Sequence, residues 1–297
     1  MPELPAVGTR VSLRFRLPAG SVPPLTDVVG HLLEVGPTVR VRDKRGAEVS
    51  IAASDVVAVK SLGAAPVRTS DIRRLEHAAA LAWPGVERQW LDGWLVRYGH
   101  GSTRRANSAV PLEVSPGSDV GAIARWYADR GAPTLIAAPD RLFRVPAGLP
   151  TDGENVVMTR DLTVGPPSSS PEVFFAARPD NDWLSLHPRQ VPADVLTAVV
   201  DGELTFASVA GSAVGRGAVT MAPDGTRWAG LSSVHVADSA RRRGLGRAVC
   251  EELLAWAADR GATRAYVQVV VENTVATRLY ESMGFTEHHR SRYASLG

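Results

Sequence analysis

Seven residues, Arg241-Arg242-Arg243-Gly244-Leu245-Gly246-Arg247, lie between a strand-like run, Leu231 to Val236, and a helix-like run, Gly246 to Arg260. A basic, glycine-punctuated loop that opens a helix is a device for holding phosphate. The first helical N–H groups have no partner inside the helix, and the helix dipole favours an anion there. Glycine lets the main chain approach a ligand that a Cβ would hold off. Arginine adds charge-assisted donors.

A second segment runs Glu272-Asn-Thr-Val-Ala-Thr-Arg-Leu-Tyr-Glu-Ser-Met-Gly-Phe285. Asn273 suits a helix N-cap, and Ala276, Leu279, Tyr280 and Met283 recur at helical spacing before Gly284 as a stop. Alone, this reads as an amphipathic helix with Tyr280 as a core aromatic. Cys250, the only cysteine, excludes an intrachain disulfide and reads as a small buried apolar residue. His235 sits in the strand before the loop, bracketed by Val234 and Val236, and reads first as a structural side chain.

Taken together, Arg241-x-x-Gly244-x-Gly246 and the later Asn273-x-x-Ala276-x-x-Leu279-Tyr280-x-x-x-Gly284-Phe285 resemble the GNAT superfamily of acyl-CoA N-acyltransferases, over roughly residues 200–295. The resemblance implies an N-acetyltransferase that moves an acetyl group from acetyl-CoA to a primary amine by direct attack. It implies that main-chain N–H groups of Arg241, Arg242, Arg243, Gly244, Leu245, Gly246 and Arg247 hold the CoA pyrophosphate. The strand carrying Val234 and Val236 would bond the acetyl carbonyl and pantetheine amides, and would splay from the next strand, Arg264 to Val271. Asn273 would contact the cofactor arm, and Tyr280 would protonate the leaving thiolate. No glutamate occupies Leu231 to Val236, so the base stays open among His235, Glu272, Gln268 and water. The acceptor, a small amine or a protein amino group, also stays open, as does a homodimer. No metal site is expected.

The elements that must position these residues follow from pattern. Strands are expected at Val11–Arg16, Thr26–Val35, Thr38–Arg42, Glu48–Ala52 and Val56–Lys60, a spacing that suggests a small barrel over 1–62. Its layout resembles a Src-homology-3-like barrel. A linker at 63–70 precedes a helix capped by Ser70 or Asp71 and running to about Trp83. Strands over Gln89–Tyr98 and Ala106–Val114, a helix at Asp119–Arg130 and a strand at Thr134–Ala138 follow. Beyond a second linker at 166–171, strands are expected at Val173–Ala177, Val195–Val200, Leu204–Ala210, Val214–Thr220, Trp228–Val236, Arg264–Val271 and Glu287–Ala294. Helices at Gly246–Arg260 and Thr274–Met283 complete the set.

Trp126-Tyr-Ala-Asp-Arg-Gly-Ala132 recurs as Trp256-Ala-Ala-Asp-Arg-Gly-Ala262. This echo suggests two versions of one α/β unit, 71–165 and 172–297. The first has Ser115-Pro-Gly-Ser118 where the second has its basic loop, and is therefore degenerate. The fold class expected is α/β (α+β): a small barrel, then two GNAT-like mixed-sheet units, the second catalytic. Arg104-Arg-Ala-Asn-Ser108 is a candidate acceptor-site wall, or a turn with solvated arginines.

The chain has 297 residues, 44% hydrophobic and 22% charged, which fits a globular protein of several domains. A net charge of +2 restricts electrostatic attraction to local sites such as the basic loop. No apolar run approaches the roughly 18 residues that span a membrane, so cytoplasmic residence is the default. A non-catalytic nucleic-acid- or protein-binding module using residues 241–247 is the alternative. Nucleic acid is not expected as a partner, because interleaved aromatics are missing. A Rossmann reading fails because Val249 stands where a third glycine belongs.

Overall fold

Alternation of apolar and polar residues builds the first five strands within a residue or so of expectation: β1 (Arg10–Arg16), β2 (Leu25–Glu34), β3 (Thr38–Asp43), β4 (Glu48–Ala52) and β5 (Val56–Ser61). They form an antiparallel sheet in the order β4-β3-β2-β1-β5. Their inward residues, among them Val11, Leu13, Leu32, Val39, Val41 and Ile51, make one core. The computed structural model describes residues 2–43, 45–62, 67–117, 120–162 and 173–296, in two units, Met1–Pro66 and Val67–Gly297. The linker expected at 63–70 lies partly outside the described residues, and that at 166–171 wholly so.

The second unit opens with α1 (Thr69–Ala82). Its N-cap is Arg68, without a side-chain cap bond, so Ser70 and Asp71 lie inside the first turn rather than capping it. Then come β6 (Glu87–Leu91), β7 (Trp94–Tyr98), β8 (Val110–Pro111), α2 (Val120–Ala128), β9 (Leu135–Pro139) and β10 (Thr151–Asp161). The expected strand 89–98 is a hairpin, because Asp92 and Gly93 both take positive φ, +45° and +83°, as a tight two-residue turn requires. The expected strand 106–114 shrinks to β8, preceded by a single 3-10 turn at Arg105–Asn107. Residues 118–119 of the expected helix lie outside the described residues.

Next are β11 (Phe174–Ala176), α3 (Asn181–Leu186), α4 (Ala193–Thr197), β12 (Glu203–Val209), β13 (Ala213–Met221), β14 (Arg227–Val236), α5 (Leu245–Asp259), β15 (Arg264–Val270), α6 (Thr274–Ser282) and β16 (Thr286–Ser295). The strand expected at 195–200 is instead the end of the short helix α4 and an irregular stretch over 198–200. The main-chain oxygens of Leu196 and Ala198 bond the buried Arg216 guanidinium, a tertiary demand that overrides the β-branched run.

Eight strands form one sheet, β11-β12-β13-β14-β15-β10-β16-β9, and β6-β7-β8 form a second. A parallel bridge between Ala109 and Ile136 joins the two at β9. The order shows an exchange. Each half has three antiparallel strands, a crossover helix and a parallel strand: β6-β7-β8, α2, β9, and β12-β13-β14, α5, β15. The last strand of each half then pairs with the other half, β10 with β15 and β16 with β9, and β10 and β16 pair with each other. Strands from 71–165 and 172–297 thus share one sheet.

The repeated heptapeptide ends both crossover helices identically. Gly131 and Gly261 take φ of +60° and +74°. Ala132 N–H donates to Tyr127 O at 3.1 Å, and Ala262 N–H to Ala257 O at 3.0 Å. Arg130 stacks on Trp126 at 3.6 Å and Arg260 on Trp256 at 4.3 Å. Both are glycine-terminated helix ends sealed by a cation over an indole.

Candidate active site at the parting of two strands

Parallel pairing between β14 and β15 runs from Trp228/Arg264 to Leu231/Val267 and stops. β14 continues to Val236 and β15 to Val270. Each is held on its far edge. Val236 stays opposite Ala213 of β13, while Gln268, Val269 and Val270 stay opposite Val157, Val156 and Asn155 of β10. A cleft therefore opens between two strands that are both fixed from outside. It opens at their carboxyl ends, where ligands bind in sheets with parallel strands.

The bend of β14 has a local cause. Its register against β13 slips between Val214 and Arg216, and Ser233 carries φ of +54°. A non-glycine residue in the left-handed region marks a bulge that re-aims the strand. Just before it, Gly230 makes room for Tyr266, since a Cβ there would stand 2.3 Å from the Tyr266 hydroxyl. Tyr266 is buried, and burial pushes its phenol up to about 12.

Beyond Val236 a 3-10 turn, Asp238–Ala240, leads into the basic loop. Arg242 takes φ of +59°, and Gly244 is the N-cap of α5 at φ +79°, ψ −4°. No side chain caps this helix, and Ala248 N–H to Gly244 O is its first bond. The N–H groups of Leu245, Gly246 and Arg247 thus belong to the unsatisfied first turn. Arg242 and Arg243 are exposed. Arg241 lies 2.6 Å from Asp238. Arg247 is turned elsewhere: its guanidinium bonds Ser282 Oγ at 2.6 Å and Glu251 at 3.3 Å, tying α5 to α6.

Across the cleft, Asn273 caps α6, its side chain accepting from Ala276 N–H at 3.1 Å. Tyr280 is 7% exposed, edge-on to Phe285, with its hydroxyl beside Cys250 of α5. Burial first, then the neighbouring thiol, hold this phenol well above its usual value, so it keeps its proton. Cys250 is fully buried and its thiol is pushed up to about 12. It is an inert packing residue, as its sequence context suggests. Val234 and Val236 are half-buried against the same core.

The opposite face of the sheet was less legible. His235 pairs with Val214, which packs in a cluster with Trp183, Phe206 and Trp83. His187, a residue that pattern alone does not single out, stacks on Trp183 there. Its only sequence signal is the four-residue spacing from Trp183. Arg105, from the candidate acceptor wall, lines a small cavity with Arg97, Glu76, Gln268 and Tyr293, while Arg104 pairs with Asp152 at 2.6 Å.

This geometry has relatives. The family described as "Probable histone acetyltransferase Rv0428c C-terminal" matches residues 69–294. The chain belongs to that family. The N-terminal domain described as Sm-like in Rv0428c matches residues 5–60, where the sequence reading named a Src-homology-3-like barrel. "Probable histone acetyltransferase Rv0428c" of Mycobacterium tuberculosis is 52% identical over 99% of this chain and 96% of its own length. "Uncharacterized N-acetyltransferase YobR" of Bacillus subtilis is 28% identical over 74% of this chain and 97% of its own. Among solved structures, a GCN5-related N-acetyltransferase from Kribbella flavida superposes with a TM-score of 0.55 at 15% identity, covering 77% of this chain and 96% of that one. A GNAT-family structure from Novosphingobium aromaticivorans gives 0.52 at 19% identity, covering 73% and 95%.

The fold is therefore that of the GNAT acetyltransferases, and the protein is an acyltransferase of a fold that uses acyl-CoA. The cleft fits such a substrate: an uncapped helix start for its phosphates, and a strand edge free of pairing for its amides. Among the described residues no helix is long and apolar enough to cross a membrane.

Proposed function

We propose that the chain transfers an acetyl group from acetyl-CoA to a primary amine by direct attack, with residues 172–297 carrying the transfer and 71–165 a degenerate half. The observation that carries this is the parting of β14 and β15 after Leu231/Val267 beside the uncapped start of α5. The pyrophosphate lies on the N–H groups around Gly244 to Arg247, with Arg242 and Arg243 adding charge. The freed edge of β14 near Val234 and Val236 bonds the pantetheine amides and the thioester oxygen. Asn273 borders the arm at the start of α6. As the amine attacks, charge grows on that oxygen, and a fixed N–H near Val236 stabilises it.

Tyr280 is the acid for the departing thiolate. Its perturbed phenol is protonated at any working pH. Delivering the proton requires the hydroxyl to exchange its place beside Cys250 for the CoA sulfur. The strongly desolvated site raises a thiolate's basicity as well, which favours its protonation. The name of the 52% identical relative points to protein amino groups as acceptors.

Calorimetric titration with acetyl-CoA tests the binding site, and thiol release against a panel of small amines and histone-tail peptides tests the reaction. Absence of binding at micromolar concentrations overturns the reading. Tyr280→Phe is expected to lower kcat by about 10²-fold or more while leaving the Kd for acetyl-CoA unchanged. An unchanged kcat removes Tyr280 from the mechanism.

A further inference from the structure

An amine must lose a proton to form an amide, and the sequence names only weak candidates to receive it. We propose that His187, through Nε2, is the base that takes this proton; the proposal deepens the acetyl-transfer reading above and rests on it.

Placement comes first. His187 closes α3, its N–H donating to Trp183 O at 3.1 Å. Its ring lies on the Trp183 indole, centroids 5.2 Å apart and planes 19° from parallel. Trp183 is 2% exposed, and its indole N–H is shared between Ala207 O of β12 at 3.2 Å and Gly215 O of β13 at 3.3 Å. Gly215 sits within the register slip that faces Ser233. The imidazole is thus anchored, through one rigid indole, to the point of the sheet where β14 bends away from β15. His235 lies opposite Val214, so it projects from the face of the sheet that carries the Trp183 cluster. The imidazole lies on the Trp183 cluster, and Tyr280 packs in the separate cluster built on α5. In this proposal base and acid stand on the two faces of the sheet at the cleft.

The tautomer follows from chemistry. His187 Nδ1 lies 2.7 Å from Arg189 O. A carbonyl oxygen only accepts, so Nδ1 carries the hydrogen and Nε2 carries the lone pair. That is the arrangement of a poised base. Burial lowers the His187 imidazole below 6.5; the hydrogen bond to Arg189 O opposes this, and the charges of Arg189 and His235 add to the lowering. Of the carboxylates of the neighbouring helices, Asp180 accepts from Trp183 N–H at 2.7 Å, Asp194 lies 2.8 Å from His100, and Asp182 is exposed on α3. His187 is neutral at physiological pH. Among the described residues no hydrogen bond fixes the His235 ring, which makes it the poorer base.

The step balances. The amine nitrogen bonds the thioester carbon, its proton passes to His187 Nε2, and the C–S bond breaks with its electron pair on sulfur. Tyr280 protonates that sulfur, and the imidazolium returns its proton to solvent as the phenolate regains one.

The test is the pH profile of kcat/KM with a lysine-like amine, whose own pKa is near about 10. For the native chain log kcat/KM should rise with slope two below the His187 pKa, because both amine and imidazole must be deprotonated, and with slope one above it. His187→Asn keeps a side-chain N–H for Arg189 O but has no basic nitrogen. It should give slope one throughout, with a fall in kcat of about 10²-fold or more at pH 7 and an unchanged Kd for acetyl-CoA. Added imidazole should restore part of the rate. His235→Gln should keep the break in slope and move it upward, since a like charge beside His187 is removed. An unaltered break in His187→Asn overturns the proposal, and so does its loss in His235→Gln instead. A native chain that binds acetyl-CoA but acetylates no amine overturns the transfer reading and this proposal together.

Discussion

Gly244 and Gly246 stand two residues apart at the start of α5 for different physical reasons, and alanine at each should separate stability from binding. Gly244 sits at φ +79°, and a Cβ there would meet nothing within 4 Å. Its replacement is a purely conformational matter. The left-handed region costs an L-residue about 1–2 kcal/mol, of which the smaller unfolded-state entropy of alanine returns about 0.4–1. The net loss is about 1 kcal/mol, or about 2–4 °C in Tm for a unit of this size. Gly246 lies within the helix, and its Cβ would sit 3.4 Å from Val236 Cγ2 and 3.7 Å from Leu279 Cδ2. These are close but tolerable contacts, and alanine is the better helix former by about 0.5–1 kcal/mol. Gly246→Ala should therefore keep or raise Tm. Its methyl group, however, stands in the crevice between the end of β14 and α6. If it denies one main-chain N–H to a phosphate oxygen, about 1.5–3 kcal/mol of binding is lost, or about ten- to hundredfold in Kd. Scanning calorimetry and titration with acetyl-CoA on both variants read the two quantities separately. Gly246→Ala binding acetyl-CoA as tightly as the native chain would refute the placement of the phosphates.

Arg216 is 1% exposed and donates to Leu196 O, Ala82 O and Ala198 O at 2.7 to 3.0 Å, with burial pushing it down to about 9. Arg216→Met strands three carbonyls and should cost about 3 kcal/mol or more in urea unfolding; Arg216→Lys should recover less than half of it, since an ammonium cannot fork. His288 is held down to about 4, by burial and by His289 beside it. The unfolded chain binds this proton from about 6.5 downward and the folded chain only near 4, so stability is complete above 6.5 and is lost as pH falls from 6.5 to 4. The loss is on the order of 2 kcal/mol after discounting for partial solvent access, and His288→Gln should flatten that part of the Tm-versus-pH curve.

What could be read from the chain was what is local. The basic loop with its two glycines is one short run and the Asn273 cap another, and the helix starts they mark, at Leu245 and Thr274, are where residue chemistry places them. The five strands of the first unit show themselves by alternation. β10 escaped because its first half is polar and exposed while only Val156 to Thr159 is buried. Nothing within residues 151–161 says that they lie between β15 and β16. α4 was misread because Val195 to Val200 is mostly apolar and β-branched, while the bonds that satisfy the carbonyls at its carboxyl end come from Arg216, distant in sequence. His187 escaped for the same reason: its anchor is Trp183, but Trp183 matters only through the carbonyls of β12 and β13. Spacing marks Tyr280 as a buried aromatic, and it is buried, though its contact with Cys250 could not be read from the chain.

The exchange of β10 and β16 gives the first half a mechanical part in the cleft of the second. The cleft needs β14 and β15 to part yet stay rigid, and two strands that stop pairing with each other must be held by others. β13 holds β14 as far as Val236. The strand that holds β15 out to Val270 is β10, which belongs to the first half. That half also supplies Arg97, which with Arg216 of β13 grips the carboxyl end of α1: Arg97 bonds Trp83 O at 3.4 Å and Arg216 bonds Ala82 O at 3.0 Å. Each arginine is buried in the middle strand of its own half, and one helix end accepts a bond from both. Removing residues 71–165 would strip β15 of its outer partner at the residues that form the cleft wall. The first half thus has a mechanical role in the second, and that role is reason enough for its core to be intact.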